Sequence, residues 1–370
     1  MSVKTVKQSK IKMGGKYKEI QSFVKENSGW NLSRVKLISY LICGILKLHT
    51  VSLVKLSKSI ESNAQLSSNY RRIQKFFSKF DINYDIISMM IFKLLPEQSS
   101  YKIAMDRTNW KFGKLDINIL MLSCCLNGIS IPIIWVLLPK RGNSNYEERK
   151  KIIDKYIELF GKESISVFLA DREFIGQKWF KYLLEEQIPF CIRIKNNTIV
   201  KRAGKKIIRA DQLFHMDEYD KCHSLAKPVI IGRLLLFISG IKRYNKETKE
   251  TEHIIILTNK RLDNAAETYK HRWQIETMFK AFKSSGFNLE ETHLIHLKRI
   301  KKLIAILSLA FVWAYIVGEI ENKVKPIRIK SHGRKQYTIF KYGLMNITYA
   351  LLNTFYFKRF EVYKKIWSCT

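Results

Sequence analysis

The 370-residue sequence predicts an α/β fold in which a mixed β-sheet is flanked by helices. Two observations lead to this prediction. Between residues 101 and 195, three strand-like segments precede alternating helical and strand-like segments, an order that implies a mixed sheet with helices packed on its faces. Hydrophobic residues make up 46% of the chain, which is enough to fill the two or three domains that its length indicates.

The strands of this sheet are predicted from buried apolar runs. The first is YKIAMD at 101–106. The run at 117–138 is long enough to span a bilayer, but Asn127-Gly128 lies near its centre with β-branched and aromatic residues on both sides, which predicts a hairpin of two strands. Two amphipathic helices and two further strands follow, in the order helix, strand, helix, strand, at 145–161, 165–171, 176–187 and 189–195.

This β-β-β-α-β-α-β order is the order of a ribonuclease H-like core, which requires one more helix across the sheet. That helix does not come next, because residues 196–256 intervene. They are rich in Lys, and strand-like pieces at 227–244 and 252–259 predict a β-rich insertion. We expect the helix that completes the core to begin near Asp263.

The charge of the chain is strongly positive and spread along its length. Its 66 Lys and Arg residues against 32 Asp and Glu residues give a net charge of +34, which suits a polyanionic partner. Nucleic acid is the first candidate, and an anionic membrane surface is the alternative. The apolar run at 303–318 is too short to span a bilayer and favours a buried core helix. Because no apolar segment follows the basic start of the chain, we expect a cytoplasmic protein.

The cysteines give no sign of a metal or disulfide framework. Cys222-His223 is a conceivable half of a zinc site, but no second pair lies at zinc spacing. The absence of a CxxC pair is typical of a reducing compartment. The six cysteines are Cys43, Cys124, Cys125, Cys191, Cys222 and Cys369.

Helical patterns fill the chain from Ser33 to about Pro96. Within this region, residues 52–77 predict a helix, a short polar turn and a second helix that starts near Gln65. That arrangement is similar to a helix-turn-helix, whose second helix enters the major groove of DNA. The exposed cations of the second helix are Arg71, Arg72 and Lys75. Two ordinary amphipathic helices are the alternative interpretation.

Two aspartates lie at the ends of predicted strands, Asp106 in AMDRTNW and Asp171 in FLADREF. A carboxylate at the end of a buried strand is costly unless it is paired, and each Asp is followed by an Arg. Two strand-end salt bridges are therefore one interpretation. In a ribonuclease H-like topology, however, the two strands are neighbours, and the completing helix would bring Glu276 to both. Three converging carboxylates predict Mg²⁺ or Mn²⁺, with two ions for phosphodiester chemistry.

The completing helix contains YKHRWQIETMFKAFK at 269–283. On one continuous α-helix its polar stripe spans roughly 60° of arc, with one carboxylate and three groups suited to DNA phosphates. An ordinary i,i+4 ion pair at the solvent boundary explains part of the stripe equally well. Glu173 and Glu267 lie near the key positions, and we interpret both as surface charges. The stripe consists of Tyr269, Arg272, Glu276 and Lys283.

Three motifs together carry a family resemblance over roughly residues 100–300. DRTNW around Asp106, ADREF around Asp171 and Y-x2-R-x3-E-x6-K at 269–283 resemble, in this order and with the long insertion, the DDE transposases of bacterial insertion sequences. More narrowly, they resemble the YREK-signature group, an insertion-sequence-four-like family. The resemblance implies cut-and-paste transposition by a dimer that binds terminal inverted repeats, forms and reopens hairpin ends and joins them to target DNA.

The resemblance also implies roles for individual residues. Asp106, Asp171 and Glu276 would be catalytic and would bind two Mg²⁺ or Mn²⁺ ions. Tyr269, Arg272 and Lys283 would contact DNA phosphates. The sequence departs from the family in one respect, because relatives carry a Trp in the insertion that stacks on a flipped base, and residues 196–256 contain none. The possible substitutes are Phe214, Tyr219, Phe237 and Tyr244.

Two further interpretations of the function stay open. A non-catalytic DNA-binding repressor derived from a transposase would have the same charge, and so would a basic membrane-surface protein. The basic segment 322–342 is either a solvated loop or a contact with DNA or a partner subunit. Aromatic residues at 343–366, Tyr349, Phe355, Tyr356 and Phe360, are interpreted mainly as packing, with a dimer contact as the alternative.

These patterns and the resemblance divide the chain into five parts. We expect a helical DNA-binding region, a catalytic core in two pieces separated by the insertion, and a C-terminal helical region. A bacterial, cytoplasmic location at the nucleoid follows from binding DNA. The expected boundaries are 1–96, 97–195, 196–256, 257–320 and 321–370.

Overall fold

The computed structural model describes residues 17–112, 115–331 and 333–368. The basic start of the chain and the sixth cysteine lie outside these residues. Five N-terminal helices come first, at Lys18–Ser28 (α1), Leu32–Leu48 (α2), Leu53–Lys58 (α3), Leu66–Lys79 (α4) and Tyr84–Lys93 (α5). Helix α2 begins where the Asn31 side chain accepts a hydrogen bond from the Arg34 N–H, which satisfies one of the free donors at a helix start.

Helix α4 starts directly after Gln65, as the sequence predicts. Arg71 and Lys75 are exposed on it. Arg72 is half-buried, and its Nη2 donates to the Ser33 carbonyl oxygen at 3.3 Å. Two of the three predicted cations therefore face solvent, and a contact of this helix with DNA stays a prediction.

The central sheet is mixed, with helices around it, which confirms the predicted α/β class. Its first part consists of Tyr101–Phe112 (β1), Leu115–Cys125 (β2), Ser130–Leu138 (β3), Tyr146–Phe160 (α6), Ile165–Ala170 (β4), Gln177–Glu185 (α7) and Phe190–Ile194 (β5). The strand order is β3-β2-β1-β4-β5, with β1 antiparallel to β2 and parallel to β4. As predicted, Asn127 and Gly128 lie in the turn between β2 and β3, where Gly128 has a φ of 85° that favours glycine.

The segment 196–256 is rich in β-structure, as predicted, and it extends the same sheet. Its strands are Ile199–Lys201 (β6), Ile207–Arg209 (β7), Cys222–Ser224 (β8), Val229–Ile231 (β9), Leu234–Asn245 (β10) and Glu250–Thr258 (β11). Strand β11 pairs antiparallel with β5, and β10 pairs with β11. The strands after β5 are therefore hydrogen-bonded directly to the edge of the first five.

Five helices complete the described chain: Ala265–Lys270 (α8), Trp273–Lys280 (α9), Leu297–Val324 (α10), Ile339–Leu352 (α11) and Phe357–Lys365 (α12). Helix α10 is long and apolar enough to cross a membrane, but 83% of its apolar window is buried inside the protein. It packs against α2, α5, α11 and β3, so it is the buried core helix that the sequence predicts.

The aromatic residues of the C-terminal region do not all pack inside the protein. Phe360 is buried, but Phe355 is 96% exposed, and Tyr349 and Tyr356 are also exposed. The packing interpretation is therefore right for Phe360 and wrong for the other three. The reason is the break between α11 and α12, which directs the residues around it outward while α12 turns back onto Trp313.

Candidate active site

The two aspartates are neighbours across β1 and β4. The last parallel pair between these strands is Met105 with Ala170, and Asp106 and Asp171 are the next residues on each strand. The sequence predicts that Asp106 ends its strand, and this prediction is wrong. Strand β1 continues to Phe112 because β2 still pairs with it beyond the point where β4 stops.

Each aspartate is held by the backbone that follows it. Asp106 Oδ1 accepts from the Arg107 N–H and Asp171 Oδ1 from the Arg172 N–H, each at 2.7 Å. The Arg107 side chain does not pair with Asp106, so that strand-end salt bridge is wrong. Its Nε and Nη2 donate to Glu173 at 3.2 and 3.1 Å, which connects β1 to the loop after β4.

Glu173 is therefore a structural residue and not the surface charge that the sequence suggested. Its side chain is 24% exposed, and both carboxylate oxygens are engaged by Arg107. Glu267, by contrast, is 68% exposed and pairs with Lys270 on the same helix, as expected of a surface charge. The difference follows from location, because Glu173 lies in a loop that folds back onto β1.

Arg149 on α6 holds the same loop from the other side. Its guanidinium donates to the carbonyl oxygens of Ser144, Glu173 and Ile175 at 2.6, 2.9 and 3.2 Å. It also lies 5.1 Å from the centre of the Phe174 ring. These contacts fix the backbone directly after Asp171, so the position of that carboxylate does not depend on a mobile loop.

The segment 269–283 is not one continuous α-helix. Helix α8 ends at Lys270, α9 begins at Trp273, and a π-helical turn occupies Ala281–Ser285. At the first break the Cys125 thiol donates to the His271 carbonyl oxygen at 3.5 Å, and Arg272 N–H bonds the Tyr269 carbonyl in a tighter i to i+3 pattern. The backbone of His271 and Arg272 stays right-handed helical, so Tyr269 and Arg272 still reach the sheet.

Arg272 lies between two of the three candidate carboxylates. Its Nη2 donates to Glu276 Oε1 at 2.6 Å, and its Nη1 donates to Asp106 Oδ2 at 3.4 Å. The Tyr269 hydroxyl donates to Asp171 Oδ1 at 3.1 Å. Arg272 therefore connects Asp106 with Glu276, and their i,i+4 pair is part of this cluster. Tyr269 holds Asp171 beside it, and the Arg272 guanidinium carbon lies 5.7 Å from the centre of the Tyr269 ring.

Burial dominates the electrostatics of this cluster. It raises the pKa of Asp106 from an ordinary 3.8 to about 7, helped by Glu173 and Glu276 and opposed by the Arg107 N–H and Arg272. Burial also raises the pKa of Tyr269, so its hydroxyl stays protonated and donates. Burial lowers the pKa of Arg272, but its contacts with Tyr269 and Glu276 outweigh burial and leave that pKa above its ordinary value.

Lys283 lies farther along β1. Its Nζ donates to the Asn109 carbonyl oxygen at 3.1 Å and pairs with Glu290 at 3.2 Å. It also lies 5.6 Å from the centre of the Trp110 ring. Because the π-helical turn changes the helix register, Lys283 contacts the strand three residues beyond Asp106 rather than the carboxylate cluster itself.

The donor chemistry of the cluster suits hard divalent cations, because all three candidate ligands offer carboxylate oxygens. In residues 17–112, 115–331 and 333–368, however, no three His, Cys, Asp or Glu side chains are grouped closely enough to hold an ion as they stand. The guanidinium of Arg272 lies between Asp106 and Glu276 instead. Within the same residues its Nε is buried without a hydrogen-bond partner, so the buried site retains a polar atom that is not yet satisfied.

The aromatic candidates of the insertion differ in accessibility. Phe214 is buried against Gly240, where an added Cβ would lie 2.3 Å from its ring, so this ring has no free face. Phe237 is half-buried. Tyr219 and Tyr244 are exposed, and Lys242 Nζ lies 4.6 Å from the centre of the Tyr219 ring.

Comparison with known proteins identifies the family. The family model described as "Transposase DDE domain" matches residues 97–313, more than half of the chain. The chain belongs to this transposase family. Its DDE domain therefore includes Asp106, Asp171 and Glu276 as well as the insertion. No curated protein matches the chain.

A solved structure also resembles this transposase-family chain. It is described as the cryo-EM structure of a piggyBac transposase synaptic complex with hairpin DNA. The sequences are 13% identical, the TM-score is 0.48, and the match covers 93% of this chain and 79% of the other.

Sequence reasoning missed two residues that shape this transposase-family site. Glu173 carried no signal beyond its nearness to Asp171. Arg149 did carry one, because it lies three, four and seven positions before Ile152, Ile153 and Tyr156, on the apolar face of α6 where a charge requires partners.

Proposed function

We propose that this chain is a divalent-metal-dependent DNA transposase of the YREK group of bacterial insertion sequences, the insertion-sequence-four-like family, with a ribonuclease H-like catalytic core. One observation carries the proposal. The register of β1 and β4 makes Asp106 and Asp171 neighbours, and Arg272 connects Asp106 to Glu276. Membership of the DDE-domain family and the net charge of +34 support it.

Asp106, Asp171 and Glu276 would hold two Mg²⁺ or Mn²⁺ ions, which supply activation of the attacking oxygen and stabilisation of the leaving oxygen when bound. Arg272 keeps its charge inside the buried site, where a cation stabilises negative charge on a reacting phosphate more strongly than in water. The protonated Tyr269 hydroxyl donates its one hydrogen to Asp171 and orients that carboxylate, so it would donate to the DNA phosphate only after it releases Asp171. Lys283 binds the DNA backbone further along β1.

The substrates in this proposal are terminal inverted repeats and target DNA. A homodimer would hold them in a synaptic complex. The reaction would be cut-and-paste transposition through hairpin ends. Exposed cations on α4, Arg71 and Lys75, suit contacts with DNA phosphates. Tyr219 and Tyr244 are the exposed aromatics of the insertion that suit stacking on a flipped base. The protein would act in the bacterial cytoplasm, at the nucleoid.

A second candidate is a non-catalytic repressor derived from a transposase. The position of Arg272 favours it, because a guanidinium between Asp106 and Glu276 offsets their charge without any metal ion. The two candidates differ in whether end DNA is cut.

The test is strand cleavage of a labelled duplex that carries the element's terminal inverted repeat, with Mg²⁺ or Mn²⁺ present. We expect Glu276→Gln to bind this duplex as tightly as the unchanged chain and to lose at least about 100-fold in nicking rate, because a metal ligand is removed. Glu267→Gln is the matched control, since Glu267 is a surface charge on the neighbouring helix, and it should nick normally. Full nicking by Glu276→Gln would refute the site. Binding without nicking by the unchanged chain would favour the repressor.

A further inference from the structure

At its far end the sheet leaves one face of the inserted strands uncovered. The strands pair antiparallel in the order β10, β9, β6, β7. Side chains alternate along a strand, so directly paired residues share a face. Lys201 pairs with Ile207 on one side and with Ile230 on the other, and Ile230 pairs in turn with Leu235. We call this side of the four strands the insertion face, and it consists of Ile199, Lys201, Ile207, Arg209, Ile230 and Leu235.

Burial confirms that the two sides of these strands differ. Val200 and Leu236, which belong to the opposite side, are fully buried. On the insertion face, the exposed fractions are 57% for Ile199, 62% for Ile207 and 65% for Leu235. Single exposed aliphatic residues are ordinary, but three on one face of four short strands form a patch, and such patches mark interaction sites. The insertion face therefore has the apolar character of a docking surface.

Cations without an acidic partner surround the insertion face. They lie on β6, in the turn between β6 and β7, before β9 and in the turn between β9 and β10. The acidic side chains between residues 196 and 236 do not neutralise them, because these are Asp211, Asp217, Glu218 and Asp220, which pair with Arg209, His223, Lys221 and Arg243. The exposed cations that form no ion pair within the described residues are Lys201, Arg202, Lys205, Lys206, Lys227 and Arg233.

This combination of aliphatic side chains and unpaired cations narrows the class of partner. A DNA duplex presents phosphates to the cations, but its charged backbone has nothing that covers Ile207 and Leu235. Single-stranded DNA binds through bases that stack on aromatic rings, and the insertion face has none. A second copy that docked with the same face would oppose like charges, which is unfavourable at an interface. A protein segment that carries both acidic and aliphatic residues matches the whole face.

We propose that the insertion face docks an acidic amphipathic helix of another protein. The row from Leu235 to Ile207 crosses four strands and is therefore about 14 Å long at the usual strand spacing. A helix of about ten residues covers this distance and presents an apolar residue at every third or fourth position. These apolar residues pack on Ile207 and Leu235, while the flanking Asp and Glu side chains pair with the surrounding cations. The inference does not depend on whether the chain cuts DNA.

The test uses the full chain and a fluorescent peptide of about 18 residues, in which Leu recurs at helical spacing and Glu fills most other positions. We expect the double variant Ile207→Thr/Leu235→Thr to raise the Kd of this peptide by about 5-fold or more, because apolar area on both partners stays uncovered. Threonine keeps the strand propensity of the two positions, so the sheet is preserved. The matched control is Leu32→Thr/Val324→Thr, which changes side chains that are 55% and 67% exposed outside the insertion and should leave the Kd unchanged.

A second peptide separates apolar docking from attraction by charge alone. It has Gln in place of every Leu, so it keeps its net charge and a good helix former at each position. We expect the unchanged chain to bind it at least about 5-fold more weakly than the Leu peptide. Equal binding of the two peptides would overturn the inference, and so would an unchanged Kd of the Leu peptide in Ile207→Thr/Leu235→Thr.

The same double variant tests the other occupants of the face. We expect it to bind a DNA duplex of about 20 base pairs with the Kd of the unchanged chain, since phosphate contacts do not use the two aliphatic side chains. Its mass in solution, measured by analytical ultracentrifugation, should also equal that of the unchanged chain. A loss of duplex affinity as large as the loss of peptide affinity would assign the face to DNA, and a lower mass would assign it to a second copy. Either result would overturn the inference.

A crosslinking measurement locates the helix without any change to the protein. The Leu peptide with a benzophenone side chain at one apolar position, irradiated in complex with the unchanged chain, should crosslink to residues between 196 and 236. Crosslinks found only outside this segment would contradict the proposed docking site.

Discussion

Arg272 determines how the candidate site behaves without metal ions. Its side chain is 4% exposed and pairs with Asp106 and Glu276, so it partly offsets two carboxylates in a poorly solvated place. Burial outweighs this offset, because the pKa of Asp106 is still raised to about 7. A bound cation would favour the charged form of Asp106.

The raised pKa of Asp106 predicts a pH-dependent cost to stability in the metal-free protein. The folded chain holds a proton on Asp106 between about pH 4 and 7, where the unfolded chain has lost it, so stability falls as the pH rises through this range. Asp106→Asn carries no such cost. We expect the free energy of unfolding of Asp106→Asn, relative to the unchanged chain, to increase by up to about 3 kcal/mol between pH 5 and 8.

Urea unfolding in the presence of a chelator measures this difference. Addition of Mn²⁺ should stabilise the unchanged chain at pH 8 and leave Asp106→Asn nearly unaffected, because the variant lacks one of the carboxylates. A difference between the two chains that stays constant from pH 5 to 8 would contradict the assigned environment of Asp106.

The sequence could place the aspartates but not their partners. Buried strand patterns around Asp106 and Asp171 predict two strands that the order of elements makes neighbours, and in the structure they are neighbours. The pairing of Arg107 with Glu173 could not be predicted, because it arises only when the loop after β4 folds back onto β1. Sequence spacing suggests that Arg107 pairs with the adjacent Asp106, whereas the folded chain brings Glu173 to the Arg107 guanidinium.

At the scale of elements, α10 and α11 approach each other closely enough for backbone contact. A Cβ added at Gly343 would lie 1.8 Å from the Ala314 carbonyl oxygen, and one added at Gly318 would lie 2.0 Å from the Ile339 carbonyl oxygen. The two glycines therefore permit a packing distance that no other residue allows. Helix α10 is in turn the centre of the helical core, so this contact supports the whole C-terminal half.

Gly343→Ala should destabilise the protein, although alanine is the better helix former. Helix propensity alone would stabilise the variant by about 1 kcal/mol. We expect instead a loss of about 1–3 kcal/mol, because the added methyl group meets backbone atoms that cannot move aside. Thermal or urea unfolding measures the effect.

Met345→Ala provides the comparison for this element, since Met345 is an exposed residue on the same helix and should change stability by less than about 0.5 kcal/mol. A Gly343→Ala variant that is more stable than the unchanged chain would show that α10 and α11 do not pack this closely.

Element boundaries were harder to predict than element types. The apolar run at 303–318 predicts a core helix, and α10 extends it at both ends to Leu297 and Val324. The break between α8 and α9 was not predictable, because it coincides with a thiol from β2 bonding the His271 carbonyl. Such a contact depends on the packed sheet and leaves no periodic signal in the segment 269–283.

At the scale of the whole molecule, the net charge of +34 predicts salt-dependent association with DNA, the substrate of the proposed function. Binding should weaken steeply with salt, because each neutralised phosphate releases a counterion and contributes about −0.9 to the slope of log K against log salt.

If α4 contacts DNA, the double variant Arg71→Ala/Lys75→Ala should reduce that slope by about 2 in magnitude. Filter binding or fluorescence anisotropy at several salt concentrations measures it on the end duplex. The single variant Lys181→Ala removes an exposed cation that pairs with Glu185 on α7 and should leave the slope unchanged. An α4 variant with the slope of the unchanged chain would remove this helix from the interface.

Because β11 pairs with β5, the inserted segment covers an edge of the sheet that would otherwise have no hydrogen-bonding partner. A shortened chain without residues 196–258 would present the amide and carbonyl groups on the outer edge of β5 to solvent, and β5 is the neighbour of β4, the strand that leads into Asp171. An exposed sheet edge of this kind pairs with strands of other chains and promotes aggregation. The inserted segment is therefore part of the sheet. A homologous chain that lacks it would need another element to cover the edge of β5.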